Sequence, residues 1–312
     1  MASIRIGIVQ EGPAYLNLAH SLQKAQLIME EAAREGVQLL VFGESWLSGY
    51  PAWLDHCPEV ALWDHEPVKE VFARMWENGV AVPGPATRQL CQAAAHHGMY
   101  VVMGVNEVVP NGPGPGTIYN SFILIGPDGK LLNHHRKLMP TFTEKMVYGL
   151  GDSRGLRSIP TPLGGIGGLI CWEHWMPLSR QALHMQGELI HVALWPWVHE
   201  MHQVASRHYA FEGRCFVIAA GQIMRAWELP PELELPEHMR THRDKLLLRG
   251  GSCLIAPNGN YLLAPQWEKE GLIVTQIEDL QQPLRERMTL DVSGHYHRPD
   301  IFQFDWAEEA YR

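Results

Sequence analysis

The chain has 312 residues, 46% of them hydrophobic, which is enough for one large α/β domain or two smaller ones. A formal net charge of −9 with no dense Lys/Arg run excludes a nucleic-acid partner. No apolar stretch reaches the roughly 18 residues that span a bilayer, which excludes a helical membrane protein.

The opening residues lack the apolar core of a signal peptide, and Ile4 to Val9 read as a first strand instead. Asn17 to Glu35 carries apolar residues at helical spacing and stops at Gly36. Val37 to Phe42 is a short buried strand that runs into the turn-rich loop Gly43 to Pro51, so the first third has βαβ order. Residues 52–84, rich in Trp, Pro and acids, read as a loop with one helix from Val68 to Asn78. Pro85 to His97 is a helix ended by Gly98, and Tyr100 to Val109 is a strand. Residues 111–116 form a glycine- and proline-rich surface loop.

Tyr119 to Ile125 and Lys130 to His135 flank Pro127-Asp128-Gly129, a hairpin signature. The same signature returns at Ser252 to Ala256, Pro257-Asn258-Gly259 and Tyr261 to Ala264. Two such hairpins far apart predict two similar sheets. Between them lie strands 166–171, 189–194 and 215–222 and helices 178–186 and 200–214. Residues 227–249, rich in proline and charge, read as an exposed excursion. Leu272 to Ile277 is a strand, followed by a short helix from Glu278. No linker cuts the chain, so residues 1–312 read as a single α/β domain with sheets covered by helices. The segment from about 285 to 312 reads as a tail or interface. The five cysteines, Cys57, Cys91, Cys171, Cys215 and Cys253, are scattered and odd in number, which fits reduced thiols in a cytoplasmic protein.

Three polar residues stand where buried strands run out: Glu44 after Leu39-Leu40-Val41-Phe42, Lys137 after the first hairpin, and Cys171 after Ile166 to Ile170. In open α/β sheets function gathers at strand ends. A carboxylate, an ammonium and a thiol meeting there make a covalent catalyst: the acid takes a proton, the sulfur attacks, and the cation steadies developing negative charge. The helix beginning near Pro177 predicts a thiolate at Cys171, because helix N-termini carry partial positive charge.

The neighbours of these residues carry a resemblance. Gly43-Glu44-Ser45 with Gly49-Tyr50-Pro51, then His135-Arg136-Lys137-Leu138-Met139-Pro140-Thr141 with Glu144, then Gly168-Leu169-Ile170-Cys171-Trp172-Glu173-His174 resemble, in order and spacing, the Glu, Lys and Cys blocks of the nitrilase superfamily of carbon–nitrogen hydrolases. Asp291, Gly294-His295-Tyr296 and Arg298-Pro299-Asp300 resemble the C-terminal block of its nitrilase branch, and Cys171-Trp172-Glu173 followed by His174 resembles the string that marks the same branch.

The resemblance implies a four-layer αββα sandwich of two mixed sheets, assembled as a homodimer or a modest homo-oligomer. It implies Cys171 as nucleophile, Glu44 as general base, Lys137 as the cation on the intermediate, and Glu144 as a second glutamate that positions substrate and lysine. It implies hydrolysis of a small-molecule nitrile to acid and ammonia through a thioimidate, with no metal or organic cofactor. The Trp172 N–H would join Lys137 as an oxyanion-type donor. Substrate contacts are expected from Trp172, Tyr50, Trp195, Pro196 and His174, with Trp46, Trp53 and Trp197 on the same cavity. His295 and Tyr296 are expected at the site or at an interface.

Rival readings are weaker. Gly164 to Gly168 leads into a strand and lacks the Gly-Lys-Ser/Thr ending of a phosphate loop. His199 and His202 are one residue short of the zincin spacing. Zinc on Cys171 with His174, His184 or His191 lacks a second cysteine. A Cys–His hydrolase using His174 as base is the better rival. A cyanide hydratase or dihydratase, an amidase of the same superfamily and an idle binding partner on this fold complete the alternatives.

Overall fold

The computed structural model describes residues 3–111 and 114–307. Gly112 and Pro113 of the glycine–proline loop and residues 308–312 of the tail lie outside them.

Among the described residues, twelve strands form two mixed sheets. The first holds β1 (Ile4–Val9), β2 (Leu39–Phe42), β3 (Tyr100–Val108), β4 (Ile118–Ile125), β5 (Leu131–Arg136) and, paired antiparallel to β1, the late strand Leu272–Ile277. β1, β2 and β3 run parallel, and β4 and β5 form the first hairpin. The second sheet holds β6 (Ile166–Ile170), β7 (Ile190–Leu194) and β8 (Phe216–Ala220), all parallel. Next to β8 lies the second hairpin; β9 (Ile223–Arg225) pairs with its first strand β10 (Leu246–Ile255), and β11 (Tyr261–Trp267) ends the sheet. The late strand is β12.

Period-two alternation decides which face each residue serves. Ile4, Ile6, Ile8, Leu39, Val41, Val102, Phe122 and Leu124 pack inward against the second sheet. Leu40, Phe42, Val101, Met103, Ile123 and Ile125 face the other way, onto helices α1 (Leu18–Arg34) and, after α2 (Trp53–His56) and α3 (Glu66–Glu77), α4 (Pro85–His97). Beyond the second sheet, α5 (Pro177–His184) and α6 (Glu200–Gly213) supply Ala182, Leu183, Ala205, Tyr209 and Ala210 to the inter-sheet cluster. The layers are therefore helix, sheet, sheet, helix, as the resemblance implies. Local signals hold too: Asn17 caps α1 by accepting from the His20 N–H at 3.1 Å, and Gly98 ends α4 in the left-handed region at φ 65°.

The 227–249 segment differs from its expectation. Leu229, Leu233, Met239, Leu247 and Leu248 are buried in a third cluster with Trp53, Leu54 and Met75, around α7 (Glu237–Arg240). The segment's charges face solvent, but its apolar residues close the floor beside α2. In the tail, after α8 (Gln282–Glu286), Phe304 and Trp306 pack against the inter-sheet cluster, while His295 and Tyr296 are exposed.

Candidate active site

Glu44, Lys137 and Cys171 stand one residue beyond β2, β5 and β6 or immediately after them, and the stacking of the two sheets brings these strand ends together. The Glu44 segment fits because β3 carries Gly104 opposite it; a Cβ there would lie 2.1 Å from the Gly43 carbonyl oxygen. Gln222, just past β8, donates to the Glu44 carbonyl at 2.6 Å and ties the first sheet to the second.

Lys137 Nζ donates to Glu44 Oε1 at 3.0 Å and to Glu144 Oε1 and Oε2 at 2.9 and 2.7 Å. All three side chains are buried. Asn120 Nδ2 donates to Glu44 Oε1 at 2.7 Å, which leaves Glu44 Oε2 buried without a partner and free to take a proton. Glu144 lies in the 3₁₀ turn Phe142–Met146 and also accepts from the Tyr50 hydroxyl and the Thr141 N–H.

Cys171 opens a 3₁₀ turn, Cys171–Trp175, with φ 51°, a left-handed conformation that non-glycine residues hold only when the surroundings fix it. Donor atoms of Cys171, Glu44 and Glu144 all lie within 4.8 Å of one another. That spacing could serve a metal, but the Lys137 ammonium already sits against both carboxylates, so the cation of the cluster is the lysine.

The electrostatics correct one expectation. Burial, joined by the negative charge of Glu44, pushes the Cys171 thiol well above its ordinary range, against the pull of Lys137 and the Trp172 N–H. The helix α5 begins six residues further on and does not ionise it. The resting sulfur is a thiol that needs a base. Burial, partly offset by Lys137, pushes the Glu44 carboxyl up to about 7, the range in which a base both holds and releases a proton near neutrality. Burial alone would lower Lys137, but the carboxylates Glu44 and Glu144 and the hydrogen bond to Glu144 override it and keep the ammonium protonated.

Cys171 opens onto a cavity of about 860 Å³ whose apolar walls include Trp172, Trp175, Met139, Pro196 and Trp197, with Tyr50 and Glu144 beside the sulfur. Trp195 and His174 do not line it, nor do Trp46 and Trp53. Trp195 is fully buried, donates to Ser206 Oγ and stacks on the His174 ring at 4.7 Å. Trp195 follows β7 into the core with Leu194, and the chain reaches the cavity only at Pro196 and Trp197. Both nitrogens of His174 are engaged, Nδ1 with the Cys171 carbonyl oxygen at 2.6 Å and Nε2 with His191 at 2.9 Å. No nitrogen of His174 is left to serve as the base of a Cys–His pair.

Sequence reasoning assigned no role to Glu173, Asn120 or Gln222. Glu173 accepts from the Leu138 N–H at 2.7 Å, the Ile170 N–H at 2.6 Å and His135 at 3.0 Å, so one carboxylate clamps the lysine segment to the cysteine segment. Burial works against its charge, but His135 and the two backbone donors outweigh it and hold the carboxyl below its usual range.

Residues 5–286 match the family described as carbon–nitrogen hydrolase. The chain belongs to the carbon–nitrogen hydrolase family. The hydrolase is 39% identical over 303 residues to a protein named nitrilase 2 from an unknown prokaryotic organism, covering 97% of this chain and 92% of that one. It is 33% identical over 309 residues to an aliphatic nitrilase of Sinorhizobium fredii (strain HH103), covering 99% and 97%. Among solved structures it resembles Saccharomyces cerevisiae Nit3, a member of branch 10 of the nitrilase superfamily, with a TM-score of 0.71 at 20% identity over 95% of this chain and 97% of that one. It also resembles the C. elegans NitFhit protein, with a TM-score of 0.73 at 16% identity over 100% and 69%. At these identities the structural likeness speaks for the fold.

Proposed function

We propose that this hydrolase converts an organic nitrile to its carboxylic acid and ammonia, with Cys171 as nucleophile, Glu44 as general base, and Lys137 and Glu144 as the charge pair that steadies each addition. The observation that carries this reading is the buried contact of one ammonium with two carboxylates beside a thiol at a cavity wall. Relatives named nitrilases, matched over nearly their whole length, support the nitrile as substrate.

Glu44 takes the thiol proton as Sγ forms a bond to the nitrile carbon, one π bond breaks, and the nitrogen is protonated to give a thioimidate. A water, deprotonated by Glu44, adds to that carbon. The nitrogen takes the proton that Glu44 returns and a second one from the new hydroxyl, so that a C=O bond forms as the C–N bond breaks and ammonia leaves a thioester. A second water cleaves the thioester and restores the thiol. Lys137 and the Trp172 N–H meet the charge that develops at each addition. If the C–S bond breaks before the C–N bond, amide is released instead.

The aromatic and aliphatic walls, Trp172, Trp175, Met139 and Trp197, favour a bulky apolar substituent such as an aryl or arylalkyl group over cyanide itself. Exposed Leu178 on α5 and Met201, Val204 and Phe211 on α6 support assembly with a second copy through that helical face. Five free cysteines support a reducing, cytoplasmic setting. No helix among the described residues is long and apolar enough to cross a membrane. The test is an ammonia-release screen over cyanide, aliphatic dinitriles, phenylacetonitrile, mandelonitrile and benzonitrile, with the matching amides as controls. Release from apolar nitriles is expected; release from amides alone overturns the proposal.

A further inference from the structure

A line of buried polar groups adjoins the nucleophile and has no part in the steps above. From the Cys171 carbonyl it runs through His174 to His191, whose Nδ1 meets Glu188 Oε1 at 2.8 Å, and the Tyr209 hydroxyl donates to Glu188 Oε2 at 2.6 Å. All these side chains are buried, and none lines the cavity. Gly167 on β6 makes room for the acid: a Cβ there would lie 2.0 Å from Glu188 Oε1.

Counting protons fixes the state of the line. A carbonyl oxygen only accepts, so His174 carries its proton at Nδ1. The nitrogen–nitrogen contact between the rings needs a second proton, and the contact between His191 and Glu188 needs a third. Two neutral imidazoles supply two. The third resides on Glu188 as a carboxylic acid or makes an imidazolium paired with its carboxylate. An ionised Glu188 beside two neutral rings would leave one of the two contacts with lone pairs face to face. Burial disfavours the imidazolium: it pushes His174 down to about 3, drives His191 well below its usual range and raises the Glu188 carboxyl to about 8.

The surroundings do not reverse this. Facing the line are His184 from α5, Tyr209 and Glu212 from α6, Cys215 before β8, and Glu173 and Arg180 near His174. Glu212 is occupied by Arg180 and His184. Arg287 reaches only the Glu188 backbone carbonyl, at 3.5 Å. No lysine or arginine among the described residues forms an ion pair with the Glu188 carboxyl.

Taking Cys171 as the nucleophile of the reaction proposed above, we propose that Glu188 is a positioning residue that works as an un-ionised acid. Through His191 and His174 it pins the Cys171 carbonyl, and with it the left-handed turn that aims the thiol at the substrate carbon and the Trp172 N–H at the charge that develops beside it. Loss of the Glu188 proton breaks one contact of the line and slackens that turn, which gives the enzyme an alkaline ceiling.

The test compares Glu188→Ala and Glu188→Gln with the wild type. Gln donates to His191 and accepts from Tyr209 without titrating. Ala should lower kcat at least about tenfold and Gln should recover it to within about fivefold at neutral pH. Wild-type kcat should fall on the alkaline side with an apparent value near 8, and Gln should abolish that fall. An alkaline fall unchanged by Gln overturns the proposal, as does a Gln variant no better than Ala. A second measurement needs neither a substrate nor a variant that folds well: ¹⁵N imidazole spectra of the wild type, in which His174 and His191 should be neutral, His174 protonated at Nδ1 and His191 at Nε2. An imidazolium at either ring near neutral pH overturns the proposal. Failure to hydrolyse nitriles would leave these spectra unaffected and would count against the reaction alone.

Discussion

In the proposed reaction Glu44 serves as the base because it is badly placed for stability, and Glu44→Gln separates the two effects. Its carboxyl is pushed up from the usual 4.5 to about 7 by burial that Lys137 only partly offsets. A group that binds its proton more tightly when folded loses stability as pH rises from the unfolded value through the folded one. At about 1.36 kcal/mol per unit, the buried charge destabilises the native state by on the order of 3 kcal/mol near pH 8.5 and about 1.4 kcal/mol near pH 5.5. Gln keeps the shape, and its carbonyl can accept from Asn120 and Lys137 as Oε1 does. Its amide takes the place of the unpartnered Oε2, an orphan donor worth about 1–3 kcal/mol at any pH.

That constant term cancels when the stability difference is followed with pH. Equilibrium urea unfolding of both proteins should show the variant gaining about 2 kcal/mol on the wild type between those two pH values. Turnover should fall about 10²- to 10⁴-fold, as expected when a general base is removed. A stability difference that stays flat, or moves toward the wild type as pH rises, refutes the placement of a strained carboxylate at this position.

Three further outcomes follow from the same geometry. Wild-type kcat/KM should rise with pH through an apparent value near 7 as Glu44 ionises, and a profile flat from acid to neutral pH contradicts that assignment. Lys137→Met leaves Glu44 and Glu144 buried without their cation; it should destabilise the fold by about 3–5 kcal/mol and abolish turnover, read by thermal unfolding and ammonia release. Gly104→Ala places a methyl against the Gly43 carbonyl and should lower both Tm and kcat; wild-type turnover in that variant contradicts the close approach of β3 to the Glu44 segment.

The sheets were legible because their residues alternate: Ile4, Ile6 and Ile8 on one face and Leu40 and Phe42 on another announce strands covered on both sides. Glu44 and Cys171 were legible as chemistry because each is a polar residue where an apolar run stops, and Lys137 because it ends the first hairpin among neighbours that carry the resemblance. The orientation of Trp195 was not, since a single residue past the end of β7 separates the core, where Trp195 lies, from the cavity wall at Pro196. The 227–249 segment misled because its charges dominate the composition, while five irregularly spaced apolar residues decide its burial. The Glu173 clamp joins residues about 35 positions apart, and the state of the thiol depends on charges from two other strand ends and a 3₁₀ turn; neither is local enough to read from spacing.

The most direct measurement of the central claim is the intact mass and peptide map of enzyme quenched in acid during turnover of an apolar nitrile. The expected result is an acyl or imidoyl adduct on the Cys171 peptide, with no adduct and no ammonia from a folded Cys171→Ala variant. Ammonia release that persists in that variant would contradict the claim.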